Sequence, residues 1–185
     1  MTPTLEGEAI VLRAIRIEDA PSIQMHFPHW EIVKNLSLQV PWPYPADGAE
    51  KFLLNVVLPK MNKGEMYGWA ICLRETPNEL IGVISYCSTD PKELRRGFWL
   101  AREYQRRGYM TQAVCLVQDF LFFECNIPEL FLMNAVGNIG SRKIKEKTGA
   151  TYVGPIEFED LSGEKDSELW KITREDWAAF RQKDY

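Results

Sequence analysis

The chain is short of everything that would hold a fold together by means other than packing. It has only two histidines, His26 and His29, and neither has further ligand-type neighbours, so no metal site is expected. Its four cysteines (Cys72, Cys87, Cys115 and Cys125) form no C-x-x-C pair and fall inside apolar segments. That pattern fits buried thiols in a reducing compartment rather than a disulfide scaffold. No apolar run reaches about 18 residues, and no N-terminal hydrophobic stretch resembles a secretory leader. The expected location is the cytoplasm, with no membrane partner. The net charge is only −4, which speaks against a nucleic-acid-binding surface and is compatible with steering cationic substrates. There is no G-K-S/T for a nucleotide-type phosphate loop and no three-glycine dinucleotide fingerprint. Repeats, low-complexity tracts and interdomain linkers are absent too. The 185 residues read as one domain, 1–185, long enough for a single substantial core.

What is present is a regular alternation of strand and helix patterns. Alternation over 9–13 predicts a first strand. Glu18 or Asp19 then caps a helix with Pro21 in its first turn, burying Ile23 and Phe27. From Pro28 to Pro45 the chain is aromatic and proline-rich, and is expected to be mostly loop. Asp47 and Glu50 resemble a capping box opening a helix with Ala49, Phe52, Leu53, Val56 and Val57 on one face, ended by Pro59. Strands are expected at 67–73 and 80–86 about a turn at Thr76, Pro77 and Asn78, and a third at 94–100. A core helix follows over 110–124, with Ala113, Val117, Phe120 and Leu121 at helical spacing. Then come a buried strand at 130–135, a helix capped by Asn138 and closed by Gly149, strands at 151–153, 156–158 and 168–172, and a closing helix from about Thr173. The fold class is α/β (α+β), a largely antiparallel mixed sheet flanked by helices.

The segment that organises this pattern runs from Gly97 to Ala113. The apolar strand end Phe98, Trp99 and Leu100 enters the polar turn Gln105, Arg106, Arg107, Gly108, Tyr109 and Met110, which opens the core helix. A helix start exposes N–H groups without internal partners, and its dipole favours anions. Gly108 can take a positive φ or admit close backbone approach, and two arginines add charge. The turn reads as a pyrophosphate cradle; the plainer account is a solvated basic turn.

The same stretch resembles the acyl-CoA-binding segment of the GNAT N-acetyltransferase superfamily, whose pattern is Q/R-x-x-G-x-G/A. Gln105 and Gly108 fit it, and Met110 stands where Gly or Ala is usual. Downstream, Asn138 to Ser141 resembles that family's N-x-x-S, and Lys147 to Ala150 its lysine-x-glycine ending. Upstream, Val40 to Pro45 with Asp47 and Glu50 is similar to the loop and helix of the ribosomal-protein N-terminal acetyltransferase subgroup. The resemblance covers about residues 9 to 177. It implies two central strands, one ending in Phe98, Trp99 and Leu100 and the other spanning 130–135, that splay apart to admit a pantetheine arm.

The function implied is acetyl transfer from acetyl-CoA to a primary amine, either a protein or peptide N-terminus or a small polyamine- or aminoglycoside-like amine. In that reading the backbone of Arg106, Arg107, Gly108, Tyr109 and Met110 holds the pyrophosphate. Strand backbone at Phe98, Trp99 and Leu100 pairs with pantetheine and polarises the thioester. Asn138 contacts the pantetheine side of the cofactor, or is simply a helix cap. Ser141 protonates the leaving sulfur, or bonds only to backbone in its first helical turn. Relatives often carry an acid where this chain has Arg95, which leaves Glu93, Glu103, Tyr86 and Tyr67 as candidate bases. Trp42 and Tyr44, with Tyr86, are candidates for the acceptor site; the other role for Trp42 and Tyr44 is packing on the helix near Asp47. A non-catalytic acyl-CoA-binding or interaction module is the alternative, and either a monomer or a homodimer is compatible with the sequence.

Overall fold

The computed structural model describes residues 1–87 and 95–183. Five strands form one antiparallel sheet in chain order: β1 (Leu5–Glu6), β2 (Ile10–Ala14), β3 (Met66–Leu73), β4 (Thr76–Cys87) and β5 (Arg95–Leu100). A second antiparallel sheet holds β6 (Glu129–Ala135), β7 (Thr151–Glu157) and β8 (Asp166–Thr173), with β8 in the middle. β5 and β6 lie side by side but share no ladder, so the two sheets part between them. The expected splay of the two central strands is therefore present.

The strands read as apolar throughout because both faces of the first sheet are covered. Successive side chains of β3 point to opposite faces. Trp69 and Ile71 enter a core shared with α5 (Tyr109–Asp119) and α7 (Arg174–Lys183), through residues such as Val117 and Trp177. Ala70 and Cys72 enter a second core with α1 (Ala20–His26), α2 (Trp30–Val33) and α3 (Gly48–Phe52). The core face expected for 110–124 is correct: Ala113, Val117, Phe120 and Leu121 are all buried. Its last turn, Phe120–Glu124, is π-helical.

Several expected details are corrected. Pro59 does not end its helix; α4 (Leu58–Asn62) continues with Pro59 in its first turn. The preceding π-helical turn, Leu53–Val57, shifts the hydrogen-bond register, which accommodates a ring without an N–H. Asp47 makes no side-chain cap there and instead pairs with Lys51 at 2.7 Å. Phe52, placed on the buried face, is 51% exposed, because the buried stripe runs at four-residue spacing through Ala49, Leu53 and Val57. The β3–β4 turn is Arg74–Glu75, and Thr76, Pro77 and Asn78 belong to β4, next to a bulge. The two short strands expected at 151–158 are one strand, β7, with an irregularity between Tyr152 and Gly154. Asp19 caps no α1 amide; its carboxylate accepts from Arg16 N at 2.9 Å and pairs with Arg13 at 2.6 Å. The burial of Ile23 and Phe27 and the start of α7 are as expected.

Candidate functional site

A cleft of about 370 Å³ opens beside the free edge of β5. One wall is the end of β5 with the turn into α5. The other is α6 (Ile139–Lys147) with Asn138, and Glu31 and Ile32 of α2 and Asn35 complete the lining. Of the residues singled out in the turn and strand, Phe98, Trp99, Leu100, Gln105, Arg106, Gly108, Tyr109 and Met110 all line this cleft, as do Asn138 and Ser141. Arg107 is not among the lining residues; its guanidinium lies over the Tyr104 ring at 5.9 Å.

The turn is shaped by two left-handed residues, Arg106 (φ 61°) and Gly108 (φ 85°). Arg106 is the costlier of the two, because a side chain in that region clashes with its own backbone. Gly108 is the N-cap of α5 and offers no side chain to its first amides. A Cβ placed on Gly108 would meet nothing within 4 Å, so the helix end opens onto free space. The first-turn amides, uncapped by any side chain among the described residues, and the positive end of an 11-residue helix therefore face the cleft together. Arg106, Lys143 and Lys147 add positive charge along the walls, against the carboxylate of Glu31. Of these lysines, Lys147 was singled out from the sequence only as part of the lysine-x-glycine ending, and Lys143 was not singled out.

β5 is the edge strand of its sheet, so backbone groups on its far side face the gap rather than a partner strand. Gln105 Nε2 donates to Leu100 O at 2.8 Å, which ties the strand end to the cradle. Asn138 Oδ1 accepts from Ser141 N at 3.1 Å, so the cap role is real, and it leaves the Asn138 amide nitrogen for other contacts.

Beneath Ser141 lies a group that sequence reasoning missed. Lys145, one turn further along α6, is 1% exposed, and its Nζ donates to Ser141 Oγ at 2.8 Å. Burial lowers the Lys145 pKa to about 6, helped by the Arg96 charge and opposed by Glu168. Glu168 on β8 binds Asn134 Nδ2 at 2.9 Å, Trp170 Nε1 at 3.3 Å and the Arg142 guanidinium. This cluster pins α6 to the second sheet.

The acid–base candidates fare differently. Glu93 lies outside the described residues. Glu103 is 54% exposed and points to His26 Nδ1 at 3.2 Å, away from the cleft lining. Tyr67 stacks on Trp69 in the core and touches Cys125. Tyr86, expected at the acceptor site, is 1% exposed. Its hydroxyl and Arg96 Nη2 are close enough to interact, yet neither completes a hydrogen bond among the described residues. Alternation along β4 turns Tyr86 into the core. Tyr44 packs edge-on against Phe27 at 5.2 Å, and burial raises its pKa. Trp42 remains 42% exposed beside Trp30, with ring centroids 5.4 Å apart.

Comparison with known proteins agrees with this geometry. The family model described as "Acetyltransferase (GNAT) domain" matches residues 9–151. A probable N-acetyltransferase of Bacillus subtilis, YjcK, is 24% identical over 78% of this chain and 82% of its own. Among solved structures, a ribosomal-protein alanine acetyltransferase from Vibrio fischeri superposes with a TM-score of 0.78 at 20% identity, covering 95% of this chain and 98% of that one. The ribosomal alpha-N-protein acetyltransferase RimL, solved with coenzyme A, gives 0.78 at 18% identity over 92% and 98%. The extent of the family match is decisive: this chain belongs to the GNAT acetyltransferase family.

Proposed function

We propose that this enzyme transfers the acetyl group of acetyl-CoA to the free amine of a protein or peptide N-terminus, with a small polyamine- or aminoglycoside-like amine as the second acceptor class. The observation that carries the acetyl-CoA assignment is the left-handed turn at Arg106 and Gly108, which opens the first amides of α5 into a basic cleft beside an edge strand. Diphosphate suits the amides and cations at one end. The amides of a pantetheine arm suit the unpaired backbone of β5 along the other. The preference for an N-terminus rests on the likeness to protein acetyltransferases such as those of Vibrio fischeri and RimL.

In this reading the chain's own groups do modest chemistry. A neutral amine nitrogen attacks the thioester carbonyl carbon, held by β5 backbone donors where negative charge develops on oxygen. The C–S bond then breaks with its electron pair on sulfur. The thiolate is protonated through the Ser141 hydroxyl, which is itself reprotonated, and the attacking nitrogen gives up its surplus proton to solvent. Positioning of the two reactants contributes most, up to roughly 7–11 kcal/mol of the barrier in favourable cases. The test is calorimetry with acetyl-CoA, then thiol release over alanine-, serine- and methionine-initiated peptides and over spermidine and kanamycin. Release with the peptides alone supports the N-terminal assignment, and release with the small amines alone replaces it. Binding without any release sustains the non-catalytic alternative.

A further inference from the structure

We propose that Lys145 is a positioning residue for acetyl transfer, supplying Ser141 with the proton that Ser141 passes to the leaving thiolate. The inference rests on the acetyltransferase reading of the cleft. Ser141 lines the cleft while Lys145 does not, and the pair is joined at 2.8 Å inside the protein. Because Nζ donates to Oγ, the hydroxyl hydrogen of Ser141 is turned away from Lys145. The Ser141 amide is already committed to Asn138. The hydroxyl is therefore free to donate towards the cleft.

A serine hydroxyl is too weak an acid to protonate a thiolate and remain an alkoxide. A second proton must arrive as the first leaves. In the balanced step the C–N bond forms and the C–S bond breaks with its electron pair on sulfur. Ser141 O–H gives its proton to sulfur, the Lys145 ammonium gives one to Ser141 Oγ, and Lys145 is left neutral. The attacking nitrogen loses its own surplus proton to solvent, and solvent later restores the Lys145 ammonium through the cleft. A proton donor works best when its pKa lies near the working pH, and burial brings Lys145 to about 6. The charged groups around it are few: Arg96 of β5 opposes its charge and Glu168 of β8 favours it. Arg96 in turn interacts with Tyr86 of β4 and Cys115 of α5, and Glu168 is held by Arg142 of α6.

The signature is in the pH dependence of kcat/KM for an N-terminal amine, whose pKa is about 7.7–8.0. Below about 6 the Lys145 ammonium is intact and the neutral amine becomes tenfold more abundant per pH unit, so the rate rises with slope one. Between about 6 and roughly 8 the gain in neutral amine and the loss of ammonium cancel, giving a plateau. Above that the rate falls. Lys145→Met should lower kcat ten- to hundredfold, leave acetyl-CoA affinity unchanged by calorimetry, and convert the profile to one rising until about pH 8 and then flat. Lys145→Gln serves as the second variant if the first does not fold. Wild-type protein with the plateau, and variants without it, support the relay. An active wild type whose variants keep its kcat and profile overturns the relay alone. A wild type that binds acetyl-CoA but releases no thiol with any acceptor overturns the acetyltransferase reading and the relay with it.

Discussion

Gln105 Nε2 donates to the carbonyl of Leu100 across the last turn before α5, at 2.8 Å. In the proposed function, the bond couples the two surfaces that acetyl-CoA would meet at once, the strand backbone and the helix start. Its consequence is that the cradle cannot shift without moving the strand end.

The first prediction concerns that cradle. Gly108→Glu places a carboxylate where a Cβ now meets open space and asks a side-chain-bearing residue to hold φ 85°. The backbone strain is about 1–2 kcal/mol, which a folded domain tolerates. Each charge-assisted bond lost to diphosphate costs roughly 1.5–3 kcal/mol, so acetyl-CoA should bind at least about a hundredfold more weakly. Calorimetry on the folded variant checks this, and an unchanged affinity would remove diphosphate from the turn.

The second prediction separates the two roles of Asn138. Its side chain caps α6 through the Ser141 amide, so Asn138→Ala should cost about 1 kcal/mol of stability, or roughly 2–4 °C for a domain of this size. Asn138→Ser restores a cap but not the amide nitrogen. If stability recovers while acetyl-CoA affinity stays low, Asn138 also contacts the substrate. Recovery of both in a melting and calorimetry series makes it a cap alone.

The sequence carried most of the fold because burial on both faces leaves a periodic record. Ala113, Val117, Phe120 and Leu121 could be placed on a core face from helical spacing alone. Pro59 could not, because the π turn that accommodates it is a property of the hydrogen-bond register and has no residue signature. Asp19 reads as a cap locally, yet its stronger partner is Arg13, fixed only when β2 meets the Ile17–Asp19 turn. The turn that opens α5 onto the cleft was legible from Gln105 and Gly108. Lys145 was not, since R-K-I-K-E-K looks like a solvated helix face and its burial is decided by how α6 packs on β5 and β8. The one available signal was spacing: Lys145 lies four residues beyond Ser141, hence on the same side of the helix.

The third prediction divides the two loop aromatics. Tyr44 is packed on Phe27 and against Gly48, so Tyr44→Ala should destabilise the protein by about 1–3 kcal/mol whatever the acceptor. Trp42 is exposed next to Trp30, where an ammonium over the ring would gain about 0.5–2 kcal/mol. Trp42→Ala should raise KM for the amine several-fold while melting temperature and KM for acetyl-CoA hold steady. A melting-temperature loss like that of Tyr44→Ala, with amine KM unchanged, would mean that both rings are packing and that the acceptor enters elsewhere.

The last prediction concerns what Lys145 costs the fold. Its folded pKa of about 6 lies below the ordinary lysine value near 10.4, so between those values the unfolded chain holds a proton that the folded protein has released. Stability must then rise with pH across that window, by at most about 1.4 kcal/mol per unit. Below about pH 6 both states are protonated and the full penalty of a buried cation remains. Lys145→Met removes the titrating group, fills a similar volume, and loses the bond to Ser141, worth about 1 kcal/mol. Replacing a buried charge with a packed apolar side chain is often stabilising by about 1–4 kcal/mol. The variant should therefore be more stable than wild type at pH 6, with the advantage shrinking as the pH approaches 9. Urea denaturation at intervals from pH 6 to 9 measures both slopes. A variant less stable at every pH, with the wild-type slope intact, would show that Lys145 is held as a paired ammonium and that burial has not lowered its pKa.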